Sequence, residues 1–562
     1  MLYAGLTPTT QGDEFVELCN AQPGTIRLSG LKVGDEAAAG GNESMYLLPE
    51  GRTLAPDGCL VIAKNAAQFA ARFGSYPDYE LVVTGPGYVD TPEVPELAHY
   101  SAWAHGNWAL ADTGDEVLVL GPADRIVDSI AYGKGDYAAV GVTPGASAPQ
   151  PDSLQRVWPA DTNSMPADFW RGPPTPGRVT RPPAPPNSLP PSADLPGGMH
   201  AYWGLLNGHT TYSGGAEPPG LAFAIGRANG LHFLAVTDPA SSLTSSAWAE
   251  IGAQANQASQ PGTFIALRGY EYEMPDRTAI SVWNTDGFLS QTDPAHATLP
   301  EFYAWLVTQP GALAAFGPAC GAARLALPAD PRAAASLCLY QLPDASSCVS
   351  VHEPEIGWAG WLAGGWQLAP ATPGAAMDTR WGAATGFRTG LVAPTLTEAD
   401  LVDGLRARRV FATQDASLAL SLRSGGAWMG ETVPVQPELS LSVDAVEVGA
   451  ASQSLMLTLY DQTLPVASAA FPGTPVEWTV NVPGQPGHFY WARAVQPDGD
   501  VAQTAPLWTS GAPVPDRVIL NEMLPAPRAV DWDGDGTADR QDESLNLSTA
   551  KQITHMRAST AT

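Results

Sequence analysis

Residues 12–133 alternate between apolar and polar side chains in short runs separated by turn residues. Examples are "EFVELCN", "GTIRLSGLKVGD" and "DEVLVLGPADRIVDSIAYG". Alternation with a period of two puts every second side chain on the same face of a strand. The pattern predicts an antiparallel β-sandwich here. The same alternation over residues 416–511, as in "LALSLRS" and "SLMLTLYD", predicts a second sandwich.

Between Met199 and about Gln414, strand-like runs alternate with helix-like runs. "LHFLAVTD", "TFIALRGYEYE" and "AISVWNTDGF" have the character of strands, whereas "GLAFAIGRANG", "LPEFYAWLVTQPGALAAF" and "LTEADLVDGLRARR" have the character of helices. Alternating β and α units are typical of a parallel sheet or barrel whose functional residues lie at the carboxyl ends of the strands.

A proline-rich run, "RPPAPPNSLPPSADLPGG", separates the first sandwich from the α/β part. So many prolines favour a semi-rigid extended spacer. The predicted organisation is a sandwich with a C-terminal extension at 1–177, a linker at 178–198, an α/β domain at 199–415, a sandwich at 416–511 and a last segment at 512–562.

Charge and composition narrow the classes of function. The 562 residues contain 57 Asp plus Glu against 28 Lys plus Arg, for a net charge of -29. Such a chain repels phosphate backbones and anionic membranes, so nucleic-acid binding is not expected. Only 15% of residues are charged while Gly and Pro number 57 and 53, which favours β-rich extracellular modules.

The sequence predicts no membrane-spanning segment, because no apolar run approaches eighteen residues. The amino terminus, "MLYAGLTPTT", lacks the basic and then apolar order of a secretion signal. Either the protein stays inside the cell, or this chain is a segment of a longer exported protein.

The five cysteines show no CxxC spacing, so a structural zinc site is not expected. They are Cys19, Cys59, Cys320, Cys338 and Cys348. The sequence leaves two alternatives open. The thiols are buried or free, or Cys338 and Cys348 form a disulfide in an exported protein.

Several stretches of the first 175 residues resemble the lamin-tail domain, an immunoglobulin-like fold of bacterial surface and secreted proteins. They are "GDEFVEL", "LSGLKVGD", "LAPDGCLVIA", "ADTGDEVLVL", "IVDSIAYG" and the closing "SLQRVWP…ADFWRGPPTPG". The opening "MLYAGLTPTTQGDEFVEL" also lines up with "MLPAPRAVDWDGDGTADRQDESLNL", which "VILNE" precedes. Residues 512–562 are therefore expected to begin a partial second lamin-tail-like segment. Its end, "SLNLSTAKQITHMRASTAT", is either disordered or an altered reading frame.

The α/β part resembles the polymerase-and-histidinol-phosphatase (PHP) superfamily, in particular its CehA/McbA branch. "NGHTTYSGG", "LHFLAVTD", "LRGYEYE", "LRARRVFATQD" and "GAWMGE" carry the resemblance, which continues into the following sandwich. It implies a distorted (β/α)7 barrel whose strand ends hold two or three metals for ester hydrolysis. The predicted fold is thus multidomain, with immunoglobulin-like β-sandwiches flanking a PHP-like α/β barrel.

The resemblance also implies nine metal-ligand positions, and this chain fills few of them with metal ligands. Those positions hold Asn207, His209, Asp238, Pro239, Glu271, Ala279, Pro318, Ala375 and Met377. Only His209, Asp238 and Glu271 keep a suitable donor. Proline and alanine side chains offer no lone pair, and a methionine thioether does not suit a hard hydrolytic cation.

Two interpretations of His209, Asp238 and Glu271 remain open. They form one reduced mononuclear site, helped by His352, Glu353, Glu355 or Asp378, or they are hydrogen-bonded structural residues of an inactive barrel. In the second case His209 pairs with one of the two carboxylates. The ligand count favours the second interpretation, so catalytic Zn, Mn or Fe is not expected.

A second candidate metal site lies in "DWDGDGTADRQD", which places carboxylates at loop positions 1, 3, 5, 9 and 12 and a glycine at position 6. This spacing is typical of calcium loops. The predicted ligands are Asp531, Asp533, Asp535, Asp539 and Asp542.

The sequence therefore predicts a non-catalytic structural or binding segment of an exported, multi-modular bacterial surface or secreted protein. Its partner would be a protein or a cell-surface ligand. The alternative is a metal-dependent esterase or phosphoesterase with a reduced metal site. The tryptophans favour core positions, although "GWAGWLAGGW" is the best candidate for an exposed aromatic patch.

Overall fold

The computed structural model describes residues 1, 11–81, 89–134, 140–148, 150, 152–181, 191–273, 279–290, 292–293, 298–317, 330, 332–342, 354–372, 381–383, 385–449 and 453–511. These residues are rich in strands, contain few helices and divide among several sheets. They all fall in one unit, Met1–Gly511, whereas the second unit, Ala512–Thr562, lies outside the described residues.

The first 181 residues, called the first region, form an eight-stranded sheet in the order β1-β6-β7-β8-β4-β3-β9-β10, with the small pairs β2-β5 and β11-β12 beside it. The elements are β1 (Phe15–Cys19), β2 (Ile26–Arg27), β3 (Lys32–Gly34), β4 (Met45–Leu47), β5 (Thr53–Leu54), β6 (Cys59–Ala63), α1 (Ala66–Phe73), β7 (Tyr79–Leu81), β8 (Glu96–His99), β9 (Gly114–Leu120), β10 (Ile126–Gly133), β11 (Ser153–Arg156), α2 (Met165–Asp168) and β12 (Phe169–Gly172).

The prediction of a purely antiparallel first sheet is wrong at one place. Strands β6, β7 and β8 pair in parallel. Parallel neighbours need a crossover connection, and α1 is placed between β6 and β7. Asn65 caps α1 by accepting a hydrogen bond from the backbone N–H of Gln68, and Gly74 ends the helix in the left-handed conformation at φ 78. These capping signals lie inside a segment that the alternation alone assigns to strands.

Residues 191–413 form a mixed sheet in the order β20-β19-β18-β17-β16-β15-β14-β21-β22. The elements are β13 (Ala193–Leu195), β14 (Met199–Leu205), α3 (Pro219–Ala228), β15 (Phe233–Val236), α4 (Ser245–Ala258), β16 (Ile265–Glu273), β17 (Ala279–Trp283), α5 (Leu299–Val307), β18 (Leu313–Phe316), β19 (Leu337–Gln341), α6 (Pro354–Ala363), β20 (Ala369–Ala371), β21 (Arg388–Ala393), α7 (Glu398–Arg406) and β22 (Val410–Thr413), with short 3-10 turns at Pro196–Gly198 and Ala240–Ser242.

The strands that lead to the candidate site are parallel. β14 pairs in parallel with β15, and β15 in parallel with β16. The sheet is not parallel throughout, because β17 is antiparallel to both of its neighbours, β16 and β18, and β14 pairs antiparallel with β21. The ends of β14 and β15 therefore meet beside β16, where the chain turns back into β17.

The described chain after residue 415 contributes two sheets. Strands β31, β30, β27 and β28 extend the mixed sheet beyond β22, and β24, β23, β26 and β29 form a separate sheet. The elements are β23 (Leu418–Ser424), β24 (Ala427–Trp428), β25 (Thr432–Val433), β26 (Glu438–Glu447), β27 (Leu455–Asp461), β28 (Leu464–Phe471), β29 (Val476–Pro483), β30 (Phe489–Val495), β31 (Val501–Thr504) and β32 (Leu507–Thr509).

One apolar core joins this part to the preceding α/β part. Trp203 and Phe411 of the mixed sheet lie in the same buried cluster as Leu420 and Leu457. The first region has its own core around Val33, which is fully buried.

Two cysteines of the first region form a disulfide. Cys19 and Cys59 face each other on β1 and β6, with their Cα atoms 4.1 Å apart. Cys338 is a free, buried thiol on β19, which agrees with the first of the two alternatives, and Cys348 lies outside the described residues.

The tryptophans of "GWAGWLAGGW" belong to the core. Trp358, Trp361 and Trp366 are 0%, 4% and 1% exposed. Trp361 stacks on Phe316 with ring centroids 4.2 Å apart. The core prediction is confirmed for these residues, and the predicted exposed aromatic patch is wrong because their rings fill the space beside the mixed sheet.

Candidate functional site

The three predicted ligands that keep a donor lie together at the ends of the parallel strands. His209 follows β14, Asp238 follows β15 by two residues, and Glu271 lies within β16. The backbone joins two of these segments, since the N–H of Glu271 donates to the carbonyl of Asp238 at 3.2 Å. We call these three residues and Asn207 the residual cluster.

Glu271 is held by two nitrogen atoms. Asn207 Nδ2 donates to Glu271 Oε1 at 2.6 Å, and His209 Nε2 lies 3.1 Å from Oε2. The side chains of His209 and Glu271 are 16% and 12% exposed. His209 thus lies beside Glu271, one of the two carboxylates expected near it.

Asp238 is enclosed by the loop that follows β14. Oδ1 accepts the backbone N–H of Thr210 at 2.8 Å, and Oδ2 accepts the Thr210 hydroxyl at 2.7 Å. The hydroxyl of Ser213 also donates to Oδ1. Asp238 is 0% exposed. Three donors from one turn therefore satisfy a carboxylate that has no contact with water.

Burial and charge shift two pKa values in the residual cluster. Burial disfavours the imidazolium and lowers the pKa of His209, but the hydrogen bond to Glu271 and the charges of Glu271 and Asp238 outweigh it, so the pKa of His209 is raised. Burial raises the pKa of Asp238, and the hydrogen bonds from Ser213 and Thr210 oppose that rise. A cationic imidazole is thus stabilised beside Glu271.

Sequence reasoning missed two polar residues behind Asn207. Ser281 Oγ accepts hydrogen bonds from Asn207 Nδ2 at 3.2 Å and from Gln341 Nε2 at 3.1 Å. Ser281 is paired with Glu271 across β16 and β17. Both Ser281 and Gln341 are buried, and their only signal in the sequence is a polar residue within an apolar strand.

Two of the residues that lack a donor at the ligand positions implied by the resemblance, Pro239 and Ala279, lie in the described structure. Pro239 forms an isolated bridge with Glu271, and Ala279 begins β17 opposite Glu273. Pro318, Ala375 and Met377 lie outside the described residues, as do the candidate helpers His352, Glu353 and Asp378. Glu355 lies in α6, and its side chain is outside the described part of the structure.

The loop after β14 is also tied to neighbouring segments. The Thr211 hydroxyl donates to the carbonyl of Pro166 in the first region. The Tyr212 hydroxyl donates to Glu250 on α4. Trp381 Nε1 donates to Glu217 at 3.0 Å. The segment that carries His209 is therefore fixed from several sides.

A group of carboxylates that sequence reasoning also missed lies in the first region. Ligand atoms of Glu43, Asp115 and Glu116 lie within 4.8 Å of one another, the only such group of three or more among the described His, Cys, Asp and Glu side chains. Burial and neighbouring carboxylates raise the pKa of Glu43 to about 7 and that of Glu116 to about 7. The predicted calcium loop, Asp531, Asp533, Asp535, Asp539 and Asp542, lies outside the described residues.

No helix among the described residues is both long enough and apolar enough to cross a membrane. This finding agrees with the expectation that the chain has no membrane-spanning helix.

No family model and no curated protein matches the chain. Two solved structures are similar to parts of it. The first is a two-domain protein from Bacteroides vulgatus ATCC 8482, described as containing a predicted PHP-like metal-dependent phosphoesterase. It is 13% identical, covers 58% of this chain and 100% of its own, and has a TM-score of 0.34. The second is an engineered protein, 11% identical over 50% of each chain, with a TM-score of 0.16.

Proposed function

We propose that this chain is a non-catalytic structural or binding segment of an exported, multi-modular protein, built from immunoglobulin-like sandwiches and a PHP-like barrel whose metal centre has been replaced by hydrogen bonds. The residual cluster carries the proposal. Its carboxylates accept hydrogen bonds from side chains and backbone of the same loop, instead of presenting free oxygen atoms to a cation.

Asn207 gives the strongest support. A metal ligand must direct a lone pair at the ion. Asn207 instead directs its N–H group at Glu271 and at Ser281, at 2.6 and 3.2 Å. The Nδ2 group thus satisfies the carboxylate as a cation would, while Oδ1 of Asn207 is buried and has no hydrogen-bond partner among the described residues.

His209 and Asp238 support the same conclusion. His209 Nε2 lies 3.1 Å from Glu271 Oε2, so the imidazole ring can donate to that carboxylate. Both oxygens of Asp238 already accept hydrogen bonds. A hydrolytic metal would have to displace these bonds and keep a further position for activated water.

The proposal of export is supported by the Cys19–Cys59 disulfide, since such bonds persist in oxidising compartments. In such a compartment, calcium is the proposed ligand of the aspartate loop at 531–542, where carboxylates recur at calcium-loop spacing. A protein or cell-surface ligand remains the proposed partner.

Metal content and hydrolysis test the proposal. Purified protein would be analysed for Zn, Mn and Fe and assayed with bis(p-nitrophenyl) phosphate in added Mn²⁺ or Zn²⁺. We expect no stoichiometric metal of these types and no turnover above that of the free ions. His209→Ala is the test variant. His200→Ala is the matched control, because His200 is on β14 but pairs with Asp194 at 2.8 Å. Stoichiometric metal with turnover that is lost only in His209→Ala would establish the metal-dependent esterase instead.

A further inference from the structure

A buried lysine and a buried glutamate lie opposite each other at one end of the β1–β6 pair. Lys64 Nζ donates to Glu14 Oε2 at 3.0 Å. The side chain of Lys64 is 8% exposed and that of Glu14 is 0% exposed. Charged side chains are seldom buried to this degree, because each charge loses the water that stabilises it. The surroundings of the pair therefore disfavour two separate charges.

The strand register holds the two side chains together. β1 and β6 are antiparallel, with Cys19 opposite Cys59 at the far end of the pair. At the near end, the backbone N–H of Lys64 donates to the carbonyl of Glu14 at 2.9 Å, so these two residues continue the same ladder. Opposite residues of an antiparallel pair present their side chains on the same face of the sheet. The backbone therefore sets the contact between Lys64 and Glu14.

The two groups are poorly satisfied as ions. Glu14 Oε1 is buried and has no hydrogen-bond partner among the described residues. Lys64 Nζ carries three N–H donors, and in the described structure its one hydrogen bond goes to Glu14 Oε2. A buried ion pair is favourable only when further hydrogen bonds satisfy its remaining protons and lone pairs. Burial raises the pKa of Glu14 to about 8, although the charge and the hydrogen bond of Lys64 oppose the rise. A protonated, uncharged Glu14 is therefore favoured around neutral pH.

We propose that Lys64 and Glu14 condense to a side-chain amide that cross-links β1 and β6. Transfer of a proton from the ammonium to Oε2 gives an uncharged amine and an uncharged carboxyl group. The nitrogen lone pair attacks Cδ of Glu14, a C–N bond forms, and the bond between Cδ and Oε2 breaks. Two of the three ammonium protons leave with Oε2 as one water molecule, and the third stays on the amide nitrogen. Oε1 becomes the amide carbonyl oxygen, and no oxidant or other reactant is required.

Burial and position favour this product. The reaction replaces two buried charges by one uncharged amide, which is less costly to keep away from water. The fold already holds the reacting groups in contact, so the entropy of bringing them together is lost on folding and not in the reaction. The amide would join the strands at Glu14, while the disulfide joins them at Cys19. β1 could then separate from β6 only if a covalent bond broke.

A second lysine–carboxylate pair in the first region is an internal control. Lys32 Nζ lies 2.6 Å from Asp124 Oδ1. It also donates to the carbonyls of Gly121 and Pro122, at 3.0 and 3.3 Å. The side chain of Asp124 is 37% exposed and accepts a further hydrogen bond from Tyr100 at 2.9 Å. The hydrogen bonds from Lys32 and Tyr100 lower the pKa of Asp124. This pair is satisfied as ions and should not condense.

Mass spectrometry of the full-length protein, denatured and reduced, tests the cross-link. We expect a mass lower than that of the sequence by one water molecule. Trypsin does not cleave after an acylated lysine, so residues 53–72 should stay uncut at Lys64 and should be joined to residues 1–27, which contain Glu14. Lys64→Arg keeps a cation beside Glu14, but a guanidinium stays charged and has no free amine to acylate. This variant should have the full mass of its sequence.

The wild-type protein alone decides the outcome, whether or not Lys64→Arg folds. The full sequence mass, with complete cleavage after Lys64, would overturn the amide. Branched peptides through Lys32 in the same yield as those through Lys64 would also overturn it, because condensation would then not depend on a buried and poorly satisfied pair. Loss of one water molecule with a branched peptide that joins Lys64 to Glu14, and with Lys32 unmodified, would establish the cross-link.

Discussion

Replacement of Asp238 distinguishes a hydrogen-bonding carboxylate from a metal ligand. Asp238 is fully buried and accepts the backbone N–H of Thr210 together with the hydroxyls of Thr210 and Ser213. Asp238→Asn keeps one oxygen for the backbone N–H of Thr210 and the hydroxyl of Ser213, and its new amide group faces the Thr210 hydroxyl, which can rotate and accept. We expect this variant to stay within about 1 kcal/mol of the wild type at neutral pH.

Asp238→Ala should be far more damaging. It leaves the backbone N–H of Thr210 buried and without an acceptor, which costs about 1–3 kcal/mol, and two hydroxyls lose their acceptor as well. The space left by the carboxyl group adds a further penalty. We expect a total loss of about 3 kcal/mol in the free energy of unfolding.

The pH dependence gives the same variant a second readout. Burial raises the pKa of Asp238 above its ordinary value of 3.8. A raised pKa in the folded state means that the stabilising contribution of the group is complete below the unfolded pKa and is lost as the pH rises through the folded pKa. Asparagine does not titrate. The wild type should therefore gain stability as the pH falls from neutral toward about 4, whereas Asp238→Asn should not. The free energy of unfolding of Asp238→Asn, compared with that of the wild type, is expected to be most favourable near neutral pH and to decrease as the pH falls.

Urea unfolding followed by tryptophan fluorescence, with hydrogen exchange at the Thr210 amide, would measure these effects. Slow exchange should persist in Asp238→Asn and be lost in Asp238→Ala. The reasoning fails if the two variants are equally destabilised. It also fails if Asp238→Asn releases a bound metal, because a hydrogen-bonded carboxylate tolerates the amide and a coordinating one does not.

Three further predictions concern other parts of the fold. The Cys19–Cys59 disulfide closes a loop with a sequence separation of 40 residues. Cys19→Ala should therefore lower the free energy of unfolding of the first region by about 4 kcal/mol, measured with urea, and a reductant should have no further effect on that variant. The pKa of Glu43 is raised to about 7, so the melting temperature should rise as the pH falls from about 8 to about 5, and less so in Glu43→Gln. A Cβ at Gly204 would lie 2.2 Å from the Phe233 carbonyl oxygen, so Gly204→Ala should cost about 1–3 kcal/mol, whereas Gly287→Ala, with open space around it, should cost far less by calorimetry.

The alternation of apolar and polar residues located many strands of the fold, but it did not identify which strands pair with each other. The runs "LHFLAVTD" and "TFIALRGYEYE" are β15 and β16, as predicted. The run "LPEFYAWLVTQPGALAAF" contains α5, but its last part is β18, because a short apolar stretch fits a buried helix and a buried strand equally well. Helix α4 is not among the predicted helices, because only four of its 14 residues, Ala247, Trp248, Ile251 and Ala255, are buried and the rest of its sequence is weakly apolar.

The candidate site shows the same limit. That His209, Asp238 and Glu271 lie together could be expected, because parallel strands end at one edge of a sheet. The bonds that Asn207 and Gln341 make to Ser281 could not. They depend on the register between β16 and β17 and on the order of β17, β18 and β19, which long-range packing sets. Sequence spacing does not encode that register.

The loop after β14, which carries His209 of the residual cluster, is held by hydrogen bonds to several parts of the fold. A catalytic loop must leave one coordination position open to water and substrate. Here Thr210 and Ser213 donate to Asp238, Thr211 donates to the first region, and Glu217 accepts from Trp381. Every one of these bonds adds rigidity and takes up a polar group that could otherwise face a ligand. The loop therefore joins the first region to the mixed sheet, and the buried carboxylate of Asp238 keeps its donors within that joint.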